Sequence, residues 1–292
     1  MRSTGAEPVS LMPRVRGRQH GFTLAELAIV TVIIALLIGG TVLTFSAQND
    51  AREISDTQRT LEQAREAIIG FALRNGRLPC PAPGAFNPAE SFCTNAVGAC
   101  GAIIAVPPGV APAHGRCWNP AALPAATGFV PAAALGIGPI ETKPASANFG
   151  LLLDSWQQPV RYVVTQVNAP APSPPNTQLF TAAGEMKNHL LTTPPVAPDL
   201  LVCTTSAGAV PATPACGAGP GFQTPAVVYS TGKNAVAAGV GADEVENGNG
   251  DRIFVARTPT PFNPAPAAGF DDLVIWVSPN ILYNRLISAG AL

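Results

Sequence analysis

The 292-residue sequence predicts an α+β protein in which one long N-terminal helix packs on a small, mostly antiparallel sheet. Three features of the sequence predict this fold. A membrane-length apolar run continues into an amphipathic segment, short β-type segments appear only later in the chain, and a Pro- and Gly-rich stretch with most of the cysteines separates the two. We expect that stretch to be a long loop region held by disulfides.

The apolar run covers residues 22–45 and predicts a transmembrane helix. As a helix it measures roughly 36 Å, which is enough to cross a hydrocarbon core of about 30 Å. Basic residues precede it and the mixed cluster Asp50, Arg52 and Glu53 follows it, so the N-terminus is predicted to be cytoplasmic and the rest exported. A cleaved secretory signal is the alternative. Its cleavage-site residue would follow a shorter apolar region, whereas Gly21 comes before the run.

The helix is predicted to continue beyond the membrane as an amphipathic segment, residues 46–76. Its apolar residues recur at helical spacing and form one stripe: Ile54, Leu61, Ala64, Ile68, Phe71 and Ala72. Such a stripe is ordinary core and predicts that this half of the helix packs on a sheet. Asn75-Gly76 supplies a left-handed stop, and Leu78-Pro79 prevents continuation.

The predicted globular domain, residues 77–292, carries all six cysteines, and an exported chain can keep disulfides. Six cysteines allow fifteen pairings, so the connectivity stays open. Short spacing favours two bonds and leaves a third: Cys203 with Cys216, Cys93 with Cys100, and Cys80 with Cys117. No Cys-x-x-Cys pair occurs, which disfavours redox and zinc functions. Residues 77–147 are predicted to have little regular structure.

Strand signals begin after residue 147. The sequence FGLLLDSWQQPVRYVV predicts a hairpin with strands at 151–153 and 160–164 around a turn at 154–159. Further strands are predicted at 200–204, 226–230, 252–257 and 273–278. Ser278-Pro279 predicts a short terminal helix, because Ser caps helices and Pro tolerates the first helical position.

The start of the apolar run resembles a known signal. A basic leader, the sequence GFTLAE from Gly21 to Glu26 and then a membrane-length helix are similar to the class III signal of type IV prepilins and type II secretion pseudopilins. The resemblance implies a pilin-like fold with a cytoplasmic leader at 1–21, cleavage by prepilin peptidase after Gly21, and methylation of Phe22. It also implies assembly with other pilin or pseudopilin subunits at an inner-membrane assembly platform.

Glu26 is the one charged residue in the apolar run, where an unpaired charge costs several kcal/mol. In a filament of packed N-terminal helices, the free amine of Phe22 in one subunit can lie against Glu26 of another, so that the two charges neutralise each other. We therefore expect Phe22 and Glu26 to set the register of assembly. The alternative is that Glu26 snorkels to the cytoplasmic interface.

Two later stretches resemble type II secretion pseudopilins. DSWQQPVRY is similar to their Asp-x-Trp-x-x-Pro turn, and VVYSTGKN with GADEVENGNGDRIFV is similar to their acidic loop that binds calcium. Oxygen ligands suit this hard cation, and the resemblance implies the following set: Asp243, Glu246, Asn247, Asn249 and Asp251. Asp271 and Asp272 join them only if the fold returns them to this loop. Lys233-Asn234 departs from the expected acidic pair, and such segments also form turns without a metal.

Catalytic and nucleic-acid functions find little support in the sequence. It contains no G-x-S-x-G, H-E-x-x-H or P-loop motif, and His114 and His189 lie in Pro-rich stretches where a solvated histidine is the usual case. Trp118, Trp156 and Trp276 are expected in the core or in turns. A formal net charge of -1 argues against a nucleic-acid partner.

We therefore predict a minor pseudopilin or pilin that is not an enzyme and assembles into the periplasmic pseudopilus of a type II secretion system. The resemblance implies a minor role, because the processed chain is longer than the abundant subunits of this family. A single pass through the bacterial inner membrane is expected, with the globular domain in the periplasm. Two alternatives stay open: an adhesive minor pilin of a type IV pilus, and a membrane-anchored periplasmic enzyme.

Overall fold

The computed structural model describes the greater part of the chain. The described residues are 23–105, 111–119, 125–138, 140–170, 175–189, 197–211, 214–217, 219–234, 241–264 and 267–291, with the side chains of 38–47, 105 and 261–268 excepted. The predicted cleavage residues Gly21 and Phe22 lie outside them. The chain divides into two compact units, Met1–Asp50 and Ala51–Leu292.

The long helix predicted at the N-terminus is present as α1, Leu24–Asn75. Leu24, Leu36 and Leu37 are among the apolar side chains of its first half that are exposed. Among the residues that the structure describes, no helix is both long enough and apolar enough to span a membrane.

The second half of α1 carries the predicted apolar stripe into the core. Leu61, Ala64, Ile68 and Ala72 are completely buried, as helical spacing requires of residues on one face. The helix ends at Gly76, whose φ of 64° is left-handed and whose N–H donates to the carbonyl of Ala72 at 2.8 Å. The predicted stop is therefore confirmed.

Four shorter helices and eleven short strands follow α1 in the described residues. The helices are α2 (Ala132–Leu135), α3 (Glu185–His189), α4 (Ala242–Gly248) and α5 (Pro279–Ser288). The strands are β1 (Ser91–Cys93), β2 (Ile103–Ala105), β3 (Ala126–Phe129), β4 (Arg161–Val164), β5 (Leu200–Cys203), β6 (Gly221–Thr224), β7 (Ala226–Ser230), β8 (Ile253–Val255), β9 (Thr260–Pro264), β10 (Ala267–Phe270) and β11 (Leu273–Trp276).

The strands form several small sheets rather than the one sheet that was predicted. A four-stranded antiparallel sheet has the order β11-β7-β4-β3, and a three-stranded sheet has the order β6-β5-β8 with β5 and β8 parallel. Two further antiparallel pairs are β1-β2 and β9-β10. The α+β class is confirmed.

The four-stranded sheet is covered on both faces. Tyr162 and Val228 share one core with the stripe of α1, whereas Val163 and Val227 belong to a second core with the three-stranded sheet. Side chains alternate between the faces of a strand, so a strand buried on both sides reads as a continuous apolar run. β7, whose five residues are all buried, fits this pattern.

The described part of the region 77–147 has little regular structure, as predicted: it contains only the short elements β1, β2, β3 and α2. The strand predicted just after this region was wrong. Residues 151–153 form no strand: Leu152 and Leu153 make only isolated bridges, to Ile140 and Pro159. Pro159 has no N–H to donate, so the hairpin ladder does not extend through it.

The cysteines form the two disulfides that short spacing favoured, Cys93–Cys100 and Cys203–Cys216, and the third that these leave, Cys80–Cys117. The first joins the segment after α1 to the chain 37 residues later, whereas the other two close loops with separations of 7 and 13 residues. Each such bond stabilises a domain by about 2 to 4 kcal/mol, chiefly by restricting the unfolded chain.

Candidate functional site

The N-terminal site begins at Thr23, the first described residue. The carboxylate of Glu26 accepts hydrogen bonds from the backbone N–H of Thr23 at 2.8 Å and from its hydroxyl at 2.9 Å, and the Thr23 hydroxyl accepts from the N–H of Glu26 at 3.3 Å. This is a capping box, in which two residues satisfy free donors at a helix start. Glu26 therefore has partners within its own chain, and the T-x-x-E pattern could have shown this from the sequence.

The turn between 154 and 159 is built around the buried carboxylate of Asp154. It accepts hydrogen bonds from the backbone N–H groups of Trp156 and Gln158 at 2.9 and 2.8 Å, and from the hydroxyl of Ser230 at 2.5 Å. Burial raises the pKa of Asp154, and these hydrogen bonds oppose the rise. The Asp thus holds the turn against strand β7.

The same turn is tied to α1. The indole N–H of Trp156 donates to a carboxylate oxygen of Glu53 at 2.6 Å, and the N–H of Ser155 donates to the hydroxyl of Thr57 at 3.2 Å. Trp156 is therefore a turn residue, as predicted. Together, Trp156 and Ser155 connect the turn to α1 through two hydrogen bonds.

The predicted calcium ligands are distributed over and just after helix α4. Asn249 links two of the carboxylates, because its amide donates to Glu246 at 3.1 Å and to Asp251 at 2.9 Å. Asp243 is directed elsewhere: Arg257 and Ser206 both donate to it at 2.8 Å. The structure thus brings Glu246, Asn249 and Asp251 together, whereas Asp243 is engaged by other partners.

Asn247 is buried and engaged in the fold. Its oxygen accepts from the N–H of Val255 at 2.7 Å, and its amide donates to Val255 at 3.2 Å and to Asp272 at 2.7 Å. The fold therefore returns Asp272 to this loop, which was the condition for its joining the predicted set.

A second acidic group lies beside the loop and joins the conditionally predicted Asp271 and Asp272 to Glu244, which was not among the predicted ligands. Ligand atoms of Glu244, Asp271 and Asp272 lie within 4.8 Å of one another. Burial raises the pKa of Asp271 to about 6 and that of Asp272 to about 7, and Glu244 adds to both shifts. Glu244 lies within the sequence GADEVENGNGDRIFV, but only the folded structure shows that it is close to Asp271 and Asp272.

The oxygen donors fit a cation in part. Oε1 of Glu246 and Oδ1 of Asp271 are buried and have no hydrogen-bond partner among the described residues. The side-chain oxygens of Asp243 and Asn247, in contrast, already accept hydrogen bonds. The calcium site stays a prediction, in which Glu246 and Asp251 would be the carboxylate ligands.

The histidines differ from one another in setting. His114 accepts a hydrogen bond from the N–H of Arg116 at 3.0 Å, and burial together with the Arg116 charge lowers its pKa. His189, expected to be solvated, is instead buried in α3 and lies 3.2 Å from a carboxylate oxygen of Glu185. An i, i+4 pair of this kind is a normal helix contact.

The comparisons with known proteins bear on the N-terminus. Residues 16–42 match the family model of the prokaryotic N-terminal methylation motif. This motif is the type IV prepilin-like signal, and it supports a type IV pilin-like or pseudopilin protein. It implies a membrane-anchored N-terminus, processing by prepilin peptidase and assembly with other pilin subunits. The comparisons with curated proteins and with solved structures find no match.

Proposed function

We propose that the chain is a minor pseudopilin that prepilin peptidase cleaves after Gly21 and that then enters the periplasmic pseudopilus of a type II secretion system. The observation that carries the proposal is the match of residues 16–42 to the methylation motif. Its support is the helix that continues from this motif, because α1 extends from Leu24 to Asn75 and its second half belongs to a disulfide-bonded domain. One helix thus joins the signal to the domain.

The N-terminal helix anchors the subunit in the inner membrane by a single pass before assembly, with the globular domain in the periplasm. During assembly, the Phe22 amine of one subunit neutralises Glu26 of another. The capping box holds the Glu26 carboxylate at the helix start, so the acceptor has a defined position before a partner arrives.

The turn Asp154-Ser155-Trp156-Gln157-Gln158-Pro159 favours the secretion system over the pilus. It resembles the Asp-x-Trp-x-x-Pro turn of pseudopilins, and in this chain its residues connect α1 with the four-stranded sheet. An adhesive minor pilin is the second candidate, and surface exposure on extended fibres would favour it. We propose no enzymatic activity, and turnover by the purified protein would contradict this.

N-terminal sequencing and intact mass of the membrane-bound protein test the proposal. The expected chain begins at methylated Phe22. Gly21→Leu should leave the precursor uncleaved, whereas Gly17→Leu, a matched change in the same leader, should be processed normally. A mature chain that begins at Met1, or one released without α1, contradicts the proposal. Co-purification with secretion-channel proteins then supports the pseudopilin over the pilin.

A further inference from the structure

An open groove lies between the edge strand β6 and the start of α5. Its volume of about 410 Å³ is within the range of about 300 to 1,000 Å³ that is typical of small-molecule sites. Six of its lining side chains matter here: Phe222, Gln223, Trp276, Ser278, Asn280 and Tyr283. β6 is an outer strand of its sheet, and its first three residues, among them Phe222 and Gln223, are exposed.

Aromatic rings form the wall of the groove. Phe222 and Trp276 stack with their ring centroids 6.0 Å apart and their planes 14° from parallel. Phe222 is 51% exposed, which is high for a large apolar side chain that has a stacking partner. Tyr283 adds a third ring, whose hydroxyl can both donate and accept a hydrogen bond.

The polar groups of the groove are uncommitted. Within the described part of the chain, the side chains of Gln223, Asn280 and Tyr283 make no hydrogen bond, and neither does the indole N–H of Trp276. Ser278 begins α5 without using its hydroxyl as a cap. None of the described residues that line the groove is charged. The groove therefore offers flat apolar faces and neutral groups that both donate and accept hydrogen bonds.

We infer that this groove binds a neutral saccharide chain. A pyranose ring presents C–H groups on its faces, which pack on aromatic rings, and hydroxyls around its rim, which both donate and accept. A proline-rich peptide would also pack on aromatic rings, but its backbone carbonyls only accept hydrogen bonds. The two carboxamides and the two hydroxyls thus favour the sugar. The inference is independent of the proposed assembly function.

Saccharide titrations of the full-length chain test the inference. The chain is kept in a detergent without a sugar headgroup, and binding is followed by saturation-transfer NMR. Cellotetraose represents plain glucans from outside the cell, and an N-acetylglucosamine tetramer represents the amino-sugar chains of the cell envelope. Saturable binding of either supports the inference, and the preferred one identifies the source of the ligand.

Matched variants locate the binding. Phe222→Ala and Asn280→Ala, both at exposed positions, should each weaken binding by about 2- to 10-fold. Phe86→Ala removes another exposed phenylalanine that contacts a second ring, Phe149, and should leave the affinity unchanged. Thermal unfolding checks that all three variants fold.

Three results would overturn the inference. They are the absence of saturable binding with both sugars, equal affinity of the Phe222→Ala variant and the wild type, and occupation of the groove by protein instead. The last would appear as Phe222-dependent self-association in light scattering, or as Phe222-dependent binding of a peptide with the sequence PAPSPP of residues 170–175.

Discussion

The guanidinium of Arg77 binds both carboxylate oxygens of Glu90, at 2.6 and 2.9 Å, and neither side chain reaches solvent. Glu90 also accepts from the N–H of Cys80 at 2.9 Å, and the rings of Phe71 and Phe92 lie 5.0 and 5.3 Å from the guanidinium carbon. The pair therefore fixes the chain that leaves α1 beside the Cys80–Cys117 disulfide.

Replacing Glu90 by Gln should lower the free energy of unfolding by about 3 to 5 kcal/mol, because it leaves the Arg77 charge buried without a counter-ion. Urea denaturation of the full chain in detergent measures this. The control is Asp56→Asn in the exposed pair Asp56–Arg59, which should change stability by about 1 kcal/mol or less. Equal losses in the two variants would contradict a special role for burial.

Trp156→Phe should release the sheet from the beginning of the amphipathic half of α1. An aromatic ring is kept, but the 2.6 Å hydrogen bond from the indole N–H to the Glu53 carboxylate is lost, at about 1.5 to 3 kcal/mol. Hydrogen exchange should quicken in residues 51–60, and a double-mutant cycle with Glu53→Gln should show coupling. Trp118→Phe is the control, because its indole makes no hydrogen bond in the described part of the chain. Additive effects of the two changes would contradict the contact.

Local signals in the sequence were sufficient to predict several elements of the fold. The apolar stripe predicted which residues of α1 are buried, Gly76 ended the helix, and 226–230 is strand β7 with the predicted bounds. Ser278-Pro279 marked the start of α5, although the Ser side chain does not cap it. Each of these depends on neighbours within a few residues, which the sequence displays directly.

Contacts between distant residues could not be predicted in this way. β8 pairs with β5, which lies about 50 residues earlier in the chain. Phe222 of the three-stranded sheet stacks on Trp276 of the four-stranded sheet. Glu244 reaches 271 and 272 only through the turn that follows β10. No periodicity or motif records such pairings, so the division into several sheets and the second acidic group emerged only from the folded chain.

Asp272 should make the stability of the protein depend on pH. Burial raises the pKa of its carboxyl from 3.8 to about 7, so folding takes up a proton between these pH values. A carboxyl whose pKa is raised by folding stabilises the folded protein in full at pH values below its unfolded-state pKa. This stabilisation is lost as the pH rises through its folded-state pKa. The slope is at most about 1.4 kcal/mol per pH unit.

Asp272→Asn isolates this dependence. The difference in unfolding free energy between wild type and variant should favour the wild type less as the pH rises from about 4 towards 7, the window between its two pKa values, and should level off above it. The measurement is made in EDTA, so that no divalent cation occupies the site. A difference that does not change with pH would contradict the raised pKa.

Calcium titration by calorimetry tests the predicted metal loop. If Glu246 and Asp251 are ligands, Asp251→Asn should weaken calcium binding by about tenfold, because it removes a charged oxygen ligand. Asp271→Asn is the matched change in the neighbouring acidic group. A loss confined to Asp271→Asn places the ion in the group of Glu244, Asp271 and Asp272, and the absence of binding heat contradicts the prediction altogether.

The N-terminal capping box makes Glu26→Gln a sharp test of assembly. Gln also serves at the third position of a capping box, so the helix start should persist while the charge disappears. We expect normal cleavage after Gly21, normal or higher amounts of monomer, and reduced entry into the filament. Crosslinking between neighbouring subunits through Leu24→Cys and Leu27→Cys, two exposed positions, measures this entry.

The control for the Glu26 experiment is Thr23→Val, which removes the capping hydroxyl and keeps the carboxylate charge. If neutralisation of the Phe22 amine sets the register, this variant should crosslink close to the wild-type level while Glu26→Gln does not. A snorkelling Glu26 predicts equal crosslinking in all three proteins, because headgroups already solvate the charge. Equal loss in both variants assigns assembly to the helix cap instead of the charge, and loss of cleavage in Glu26→Gln places Glu26 in recognition by the peptidase.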